Sequence, residues 1–161
     1  LEAGCRRIVI LKCLGNDTNQ LARYTGFQRA LAEYGLSERE DMFVNLTEVS
    51  AETAHAAVSQ LLAQGLAFDG VMCTTDTIAA GALIALREHG LQVPRDVLIT
   101  GFDDSQLAAA CGPGITSVHQ DVARMAQLAI ELLMQMLRGD QPRQHYYQLP
   151  VYLTRRCSTC R

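Results

Sequence analysis

Tryptophan is absent from this 161-residue chain, lysine occurs once, and proline only four times. Without an indole, stacking against a ligand ring has to come from another residue or another part of the molecule. Lys12 is the only lysine and no G-K-[ST] string surrounds it, so a P-loop phosphate site is excluded; a G-x-S-x-G nucleophile elbow is missing as well. A phosphoacceptor receiver would need acids clustered at the end of the first strand, and Lys12-Cys13-Leu14-Gly15 offers none. No apolar run approaches the roughly 18 residues a membrane span requires. No leader-like stretch opens the chain, because Leu1 to Gly4 passes directly into a basic pair and a strand. The net charge of -3 lacks a basic footprint for nucleic acid, and the arginines are scattered, so this segment by itself is not expected to bind DNA.

What is present describes a folded domain. The hydrophobic fraction of 48% is ample for a core, and the length suits one domain or a domain and a piece of another. Six cysteines are too sparse for a disulfide scaffold. Cys13 and Cys73 read as small hydrophobes at strand ends, and a reducing cytoplasm is the expected compartment. Cys157-Ser158-Thr159-Cys160 has the spacing of a redox pair or half a zinc site, but no second CxxC accompanies it and it lies in the tail, so the spacing reads as incidental. His55, His89, His119 and His145 show no metal-ligand spacing.

Short apolar strands alternate with helical patterns. Strands are predicted at Arg7 to Lys12, Met42 to Leu46, Gly70 to Thr74 and Val97 to Thr100, with helices at about Asn19 to Tyr34, Ala51 to Gln64 and Thr77 to His89. This alternation predicts right-handed βαβ units: an α/β fold with a parallel sheet covered by helices on both faces. Gly35-Leu36, Gly65-Leu66 and Gly90-Leu91 mark three helix ends, and Ser50 and Asp76 are N-cap types before helical patterns. Farther on come a short Ala-rich segment, a strand at Ile115 to His119 and a long helix at about Val122 to Leu137. Asp121, Arg124, Gln127, Glu131, Gln135 and Arg138 form one narrow polar stripe on that helix, and the rest of its circumference is apolar. It needs covering on more than one side, so the chain is expected to pair with another copy or to display an apolar patch. Gly139-Asp140-Gln141-Pro142 stops the helix, and Tyr146 to Leu153 reads as a last extended segment before a polar tail.

Seven motifs in order carry a family likeness: Gly4-Cys5-Arg6-Arg7-Ile8, Arg23-Tyr24-Thr25-Gly26-Phe27, Thr75-Asp76 with Ala80-Gly81-Ala82, Val93-Pro94-Arg95-Asp96-Val97, Gly101-Phe102-Asp103-Asp104, Thr116-Ser117-Val118-His119-Gln120, and Arg156-Cys157-Ser158-Thr159. Spaced along the entire chain, they resemble the effector-binding core of the lactose/galactose repressor (LacI/GalR) family. The resemblance implies a type I periplasmic-binding-protein-like, flavodoxin/Rossmann-like core of two α/β lobes with a small ligand between them. By that likeness residues 1–118 form the second lobe, 119–143 a crossover and a helix belonging to the first lobe, and 144–161 a return strand and tail. The family's helix-turn-helix headpiece, hinge helix and most of the first lobe have no counterpart here.

Site residues follow by matching positions. An acid at the end of a buried strand can accept two hydroxyls of a polyol, and the resemblance makes Asp103 an effector contact; the plainer reading is a cap for the next helix. Asp104 should alternate away. Arg23 matches a recurrent effector arginine, against the alternative of a surface salt bridge. Asn19, one turn earlier, shares that role or caps the helix. Thr75 stands where the family commonly has an asparagine, so its hydroxyl would make a changed contact or a water bridge. Asp76 reads as a cap before a ligand group, and Gln120 matches a hinge glutamine. Val49 stands where some sugar-binding members place an aromatic residue.

The resemblance implies a bacterial transcriptional repressor and not an enzyme, with no cofactor and no metal. Its partners would be a sugar or sugar-like effector, a second copy of the chain in a homodimer, and DNA through the headpiece alone, with no membrane contact. Two alternatives remain at this level: an exported solute-binding protein of a sugar transport system, and a doubly wound enzyme domain with an unrecognised site. A helix-turn-helix upstream of Leu1 would favour the repressor, and a cleaved signal peptide the transport protein.

Overall fold

The computed structural model describes residues 1–13, 18–141, 144 and 146–160; Leu14 and Gly15, Pro142 and His145, on which parts of the sequence reading rest, lie outside the described residues. In chain order the elements are β1 Ile8–Cys13, α1 Thr18–Glu33, a 3₁₀ turn Glu40–Met42, β2 Phe43–Leu46, α2 Ala51–Ala63, β3 Gly70–Cys73, α3 Asp76–Glu88, β4 Leu98–Asp103, α4 Gln106–Ala110, β5 Thr116–Gln120, α5 Val122–Leu137, β6 Val151–Thr154 and a second 3₁₀ turn, Cys157–Thr159. The strands form one sheet in the order β2-β1-β3-β4-β5-β6, parallel throughout except for antiparallel β6.

Alternation along the strands divides the core. Val9, Leu11, Val71, Cys73 and Ile99 point to the face shared by α2 and α3, where they pack with Val58, Ile78, Ala82 and Leu86 in a solvent-free cluster. Helices α2 and α3 meet backbone to side at Gly81, where a Cβ would stand 2.0 Å from the Ala51 carbonyl oxygen. Helix α1 covers part of the opposite face through buried Leu31. Beyond it an open groove of about 680 Å³ is lined by Ile8, Met72, Phe102, Val118 and Leu153, with Arg23 also on its wall.

Local signals place the helix ends well. At Gly35, Gly65 and Gly90 the backbone is left-handed, and the leucine after each glycine donates its N–H five residues back into the last turn, as at Leu36 to Leu31 at 2.9 Å. Ser50 caps α2 by accepting from the Thr53 N–H at 3.2 Å. At α3 the cap is Thr75 and not Asp76. Thr75 is extended and its Oγ1 accepts from the Ile78 N–H at 3.3 Å, while Asp76 is already helical. Its carboxylate is therefore free to turn elsewhere.

Three further boundaries differ from the sequence pattern. Strand β4 runs on through Gly101-Phe102-Asp103, because Gly101, Phe102 and Asp103 pair with Ser117, Val118 and His119 of β5. The last extended segment is a strand only over Val151–Thr154, where β5 offers it an edge. The polar tail packs inward: Ser158 is buried, donating to the Ile99 carbonyl at 2.7 Å and accepting from the Thr116 N–H at 2.8 Å. A cluster of polar residues reads as solvated until their partners are known.

Helix α5 matches its predicted span and has no buried residue. Within this chain Ile130 and Leu137 are 62% and 73% exposed, so the described residues leave the apolar side of this helix largely uncovered. A cleft of about 250 Å³ separates α5 from Tyr147 to Val151. No helix among the described residues is long and apolar enough to cross a membrane.

Candidate functional site

The strand order reverses direction between β1 and β3, and open α/β sheets leave a crevice at such a switch point, beyond the carboxyl ends of the strands. Arg23, on the helix that follows β1, reaches across that crevice. Its Nη1 donates to the Thr74 carbonyl at 2.6 Å, just past β3, and its guanidinium lies over the Phe102 ring, 3.7 Å from the centroid. Nη2 stands 3.7 Å from Asp103 Oδ1 at the end of β4. Gln120, at the end of β5, donates to the same Oδ1 at 2.7 Å. Two residues 97 positions apart, Arg23 and Gln120, thus converge on one carboxylate, and its Oδ2 has no hydrogen-bond partner among the described residues.

Asp103 is held in an unfavourable state. Partial burial pushes its carboxyl above the ordinary range, Arg23 pulls it back, the Asp76 charge pushes it up again and the Gln120 donor pulls down; the net direction is up. Its φ is +107° and that of Asp104 +52°, both in a region that side-chain-bearing residues rarely adopt, at a cost of about 1–3 kcal/mol each. A partly buried carboxylate on a strained backbone, with a spare oxygen, gains from donors supplied by a ligand.

The strain is maintained by two clusters beneath it. Asp104 turns away from Asp103, accepting from Arg156 Nη2 at 2.6 Å and Thr154 Oγ1 at 2.8 Å, with His119 Nδ1 also at 2.8 Å. This single carboxylate joins β4, β5 and β6 to the tail. Asp76, which is 1% exposed, accepts from the Ser105 N–H at 2.7 Å, Ser105 Oγ at 2.9 Å and Ser117 Oγ at 2.6 Å. A Cβ on Gly101 would lie 2.3 Å from Asp76 Oδ1, so only glycine leaves room for that carboxylate.

Burial raises the Asp104 carboxyl, but the hydrogen bonds from Arg156, Thr154 and His119 and the Arg156 charge outweigh it and hold the group below the ordinary range. A lowered folded-state value means that its stabilising contribution is complete above the unfolded value of about 3.9 and is lost as pH falls through the lower folded value. The urea midpoint should therefore fall on acidification below about pH 4, and less steeply in Asp104→Asn. Parallel pH profiles of the two proteins would contradict this role.

Of the residues marked in the sequence, Arg23, Asp103 and Gln120 are brought together. Thr75 is nearly buried and its hydroxyl serves the α3 cap. Asn19 lies exposed in the first turn of α1, one turn before Arg23. Val49 is 46% exposed in the loop between β2 and α2. Sequence reasoning missed the Thr74 carbonyl, Phe102 and the Asp76 cluster. Polar Thr116 and Ser117 directly after the apolar Ile115 were the available signal for the last. Lys12 was also missed: it is 4% exposed, with its ammonium 3.4 Å from the Tyr24 ring centroid, and burial lowers its pKa. Tyr24 donates to Glu38; burial, that bond and the Glu38 charge push its pKa up to about 12.

The family profile described as periplasmic binding protein-like domain matches residues 1–159. The transcriptional regulator RegA of Clostridium saccharobutylicum is 31% identical over 99% of this chain and 48% of its own length. The transcriptional repressor PurR of Glaesserella parasuis is 32% identical over 88% of the chain and 42% of its own length. The solved structure of the transcriptional regulator CelR in complex with cellobiose superposes with a TM-score of 0.89 at 29% identity, over 98% of this chain and 48% of that one. The chain thus spans about half the length of the curated relatives it matches. Those relatives are transcriptional regulators and not enzymes.

Proposed function

The chain belongs to the periplasmic-binding-protein-like domain family, among the LacI-type transcriptional regulators, and we propose that it is the effector-sensing and dimerising part of a bacterial repressor that answers to a sugar or sugar-like metabolite. The observation that carries this reading is the convergence of Arg23 and Gln120 on Asp103 at the switch point, with one carboxylate oxygen left to accept. A polyol supplies adjacent hydroxyls that donate to Asp103, while its oxygens accept from Arg23. Phe102 sits behind the guanidinium and fixes its plane. The solved relative with cellobiose shows that one protein of this fold takes a disaccharide.

In this reading residues 1–118 are the second lobe, α5 belongs against the first lobe, and residues 144–161 return to the second. The apolar circumference of α5 is then covered by the first lobe and by a second copy. Gln120 sits at the exit of β5, one residue before the Asp121 cap of α5, so a ligand drawn to Asp103 acts directly on the crossing between lobes. Closure shifts the population of lobe arrangements and so the spacing of DNA-reading headpieces carried elsewhere in the protein. The position of the relatives favours this over a transport protein of the same fold.

The test uses the two-lobed protein that carries this segment and a thermal-shift panel of pentoses, hexoses and disaccharides including cellobiose. At least one sugar should raise the melting temperature. Asp103→Asn should weaken that sugar's binding roughly 10- to 100-fold, the loss of a charge-assisted hydrogen bond. Because the folded environment already disfavours the ionised carboxyl, the unliganded variant should be no less stable. A panel without a hit, or unchanged affinity in the variant, would sink the assignment.

A further inference from the structure

The last turn of the described chain carries two cysteines, Cys157 and Cys160, three residues apart. Residues Cys157–Thr159 form a 3₁₀ turn closed by the Cys160 N–H, which donates to the Cys157 carbonyl at 3.1 Å. With three residues per 3₁₀ turn, positions i and i+3 lie one turn apart, and Cys157 and Cys160 stand at that spacing across the turn and its C-cap. Cys160 Sγ is also bonded to the Arg156 carbonyl at 3.3 Å, which folds this sulfur back over the start of the turn, where Cys157 begins. Both residues are exposed.

The other four cysteines are differently placed. Cys5 and Cys73 are buried, Cys13 and Cys111 half-buried, and burial followed by the Asp76 charge pushes the Cys73 and Cys111 thiols up, away from the reactive thiolate. Between the paired thiols, the turn is clamped. The Ser158 N–H donates to the Gly114 carbonyl at 3.0 Å, its hydroxyl joins Ile99 of β4 to Thr116 of β5, and Thr159 Oγ1 lies 2.7 Å from Thr116 Oγ1. The sulfurs therefore ride on a fixed frame and little chain entropy is lost in joining them. Spacing alone left this CxxC incidental; the turn is what pairs it.

We propose that Cys157 and Cys160 are a modification site: they form a reversible intramolecular disulfide by exchange with low-molecular-weight disulfides. One cysteine, as the thiolate, attacks a sulfur of the small disulfide; that S–S bond breaks, and the departing thiolate takes up a proton. The second cysteine loses its proton and attacks the mixed disulfide, releasing the second small thiol. Two protein thiols are oxidised to one disulfide, and one small disulfide is reduced to two thiols. The new bond closes a covalent ring around Ser158, the anchor of the tail on β4 and β5, two residues after the Arg156 that holds Asp104.

The experiment treats the two-lobed protein that carries this segment with glutathione disulfide, caps remaining thiols with iodoacetamide and maps peptides by mass. The peptide carrying residues 157–160 should lose two hydrogens, take no alkyl label and recover both thiols in dithiothreitol. Cys157→Ser should instead leave Cys160 capped by glutathione. Exchange of the Thr116 amide hydrogen should slow on oxidation of the wild type and stay unchanged in the double serine variant. Alkylation of both sulfurs, two separate glutathione adducts on the wild type, a bond between chains, or unaltered Thr116 exchange would each overturn the proposal.

Discussion

Gly81→Ala is expected to destabilise the fold by about 3 kcal/mol, at the upper end of what overpacking costs. In isolation the change favours folding, since alanine is the better helix former by about 1 kcal/mol. The neighbourhood reverses that sign. An added Cβ would meet Ala51 O at 2.0 Å, Ala51 C at 2.7 Å and Ala51 Cα at 2.8 Å. All three are backbone atoms in the first turn of α2, and no rotamer moves them aside. Helix α2 has to retreat from α3, opening the cluster of Ala54, Val58, Ile78 and Ala82 that closes this face of the sheet. Gly26→Ala supplies the contrast, because a Cβ there meets nothing within 4 Å and α1 should gain about 0.5–1 kcal/mol. Urea unfolding of both variants checks the pair; equal or increased stability of Gly81→Ala would show that α2 adapts freely.

Asp76→Ala should cost about 3–5 kcal/mol, because it removes the acceptor of three donors at a buried position. The Ser105 N–H, the Ser105 hydroxyl and the Ser117 hydroxyl all end on its carboxylate, and α3, β5 and the turn after β4 are tied through it. The effect reaches the candidate site through the backbone. Ser105 follows the left-handed pair Asp103-Asp104, so releasing it lets that pair relax toward ordinary dihedrals and carries the Asp103 carboxylate away from Arg23 and Gln120. In the two-lobed protein, Asp76→Asn should keep enough of the shape to fold yet still weaken sugar binding. Unfolding free energies and sugar titrations together check this: a stability loss below about 1 kcal/mol in Asp76→Ala would remove the clamp, and full binding by Asp76→Asn would uncouple it from the site.

Particular residues show how far a linear pattern reaches. Gly35-Leu36, Gly65-Leu66 and Gly90-Leu91 are local devices complete within six residues, and the helices end where they say. The long helix from Val122 to Leu137 matches its predicted span because its polar stripe and its Asp121 cap are likewise local. Thr75 takes the cap expected of Asp76 because either could cap α3, and the choice falls to a distant pair of serines that hold Asp76 instead. Strand β4 extends to Asp103 because β5 pairs with it, which no residue of β4 announces. Ser158 looks like solvated tail for the same reason.

The sequence by itself determined the α/β class, most element spans and the family likeness, and it marked Arg23, Asp103 and Gln120 as candidates, all from short-range chemistry or matching motifs. Only the tertiary structure decided that these three meet at one carboxylate oxygen, that Asp104 faces Arg156 and His119, that Asp76 is a buried clamp, and that Cys157 and Cys160 flank a clamped turn. Each of the first three joins residues at least 15 positions apart, and the fourth depends on Ser158 reaching β4 and β5. Sheet order and strand register set those meetings, and they are properties of the whole chain's packing, invisible to any window along it.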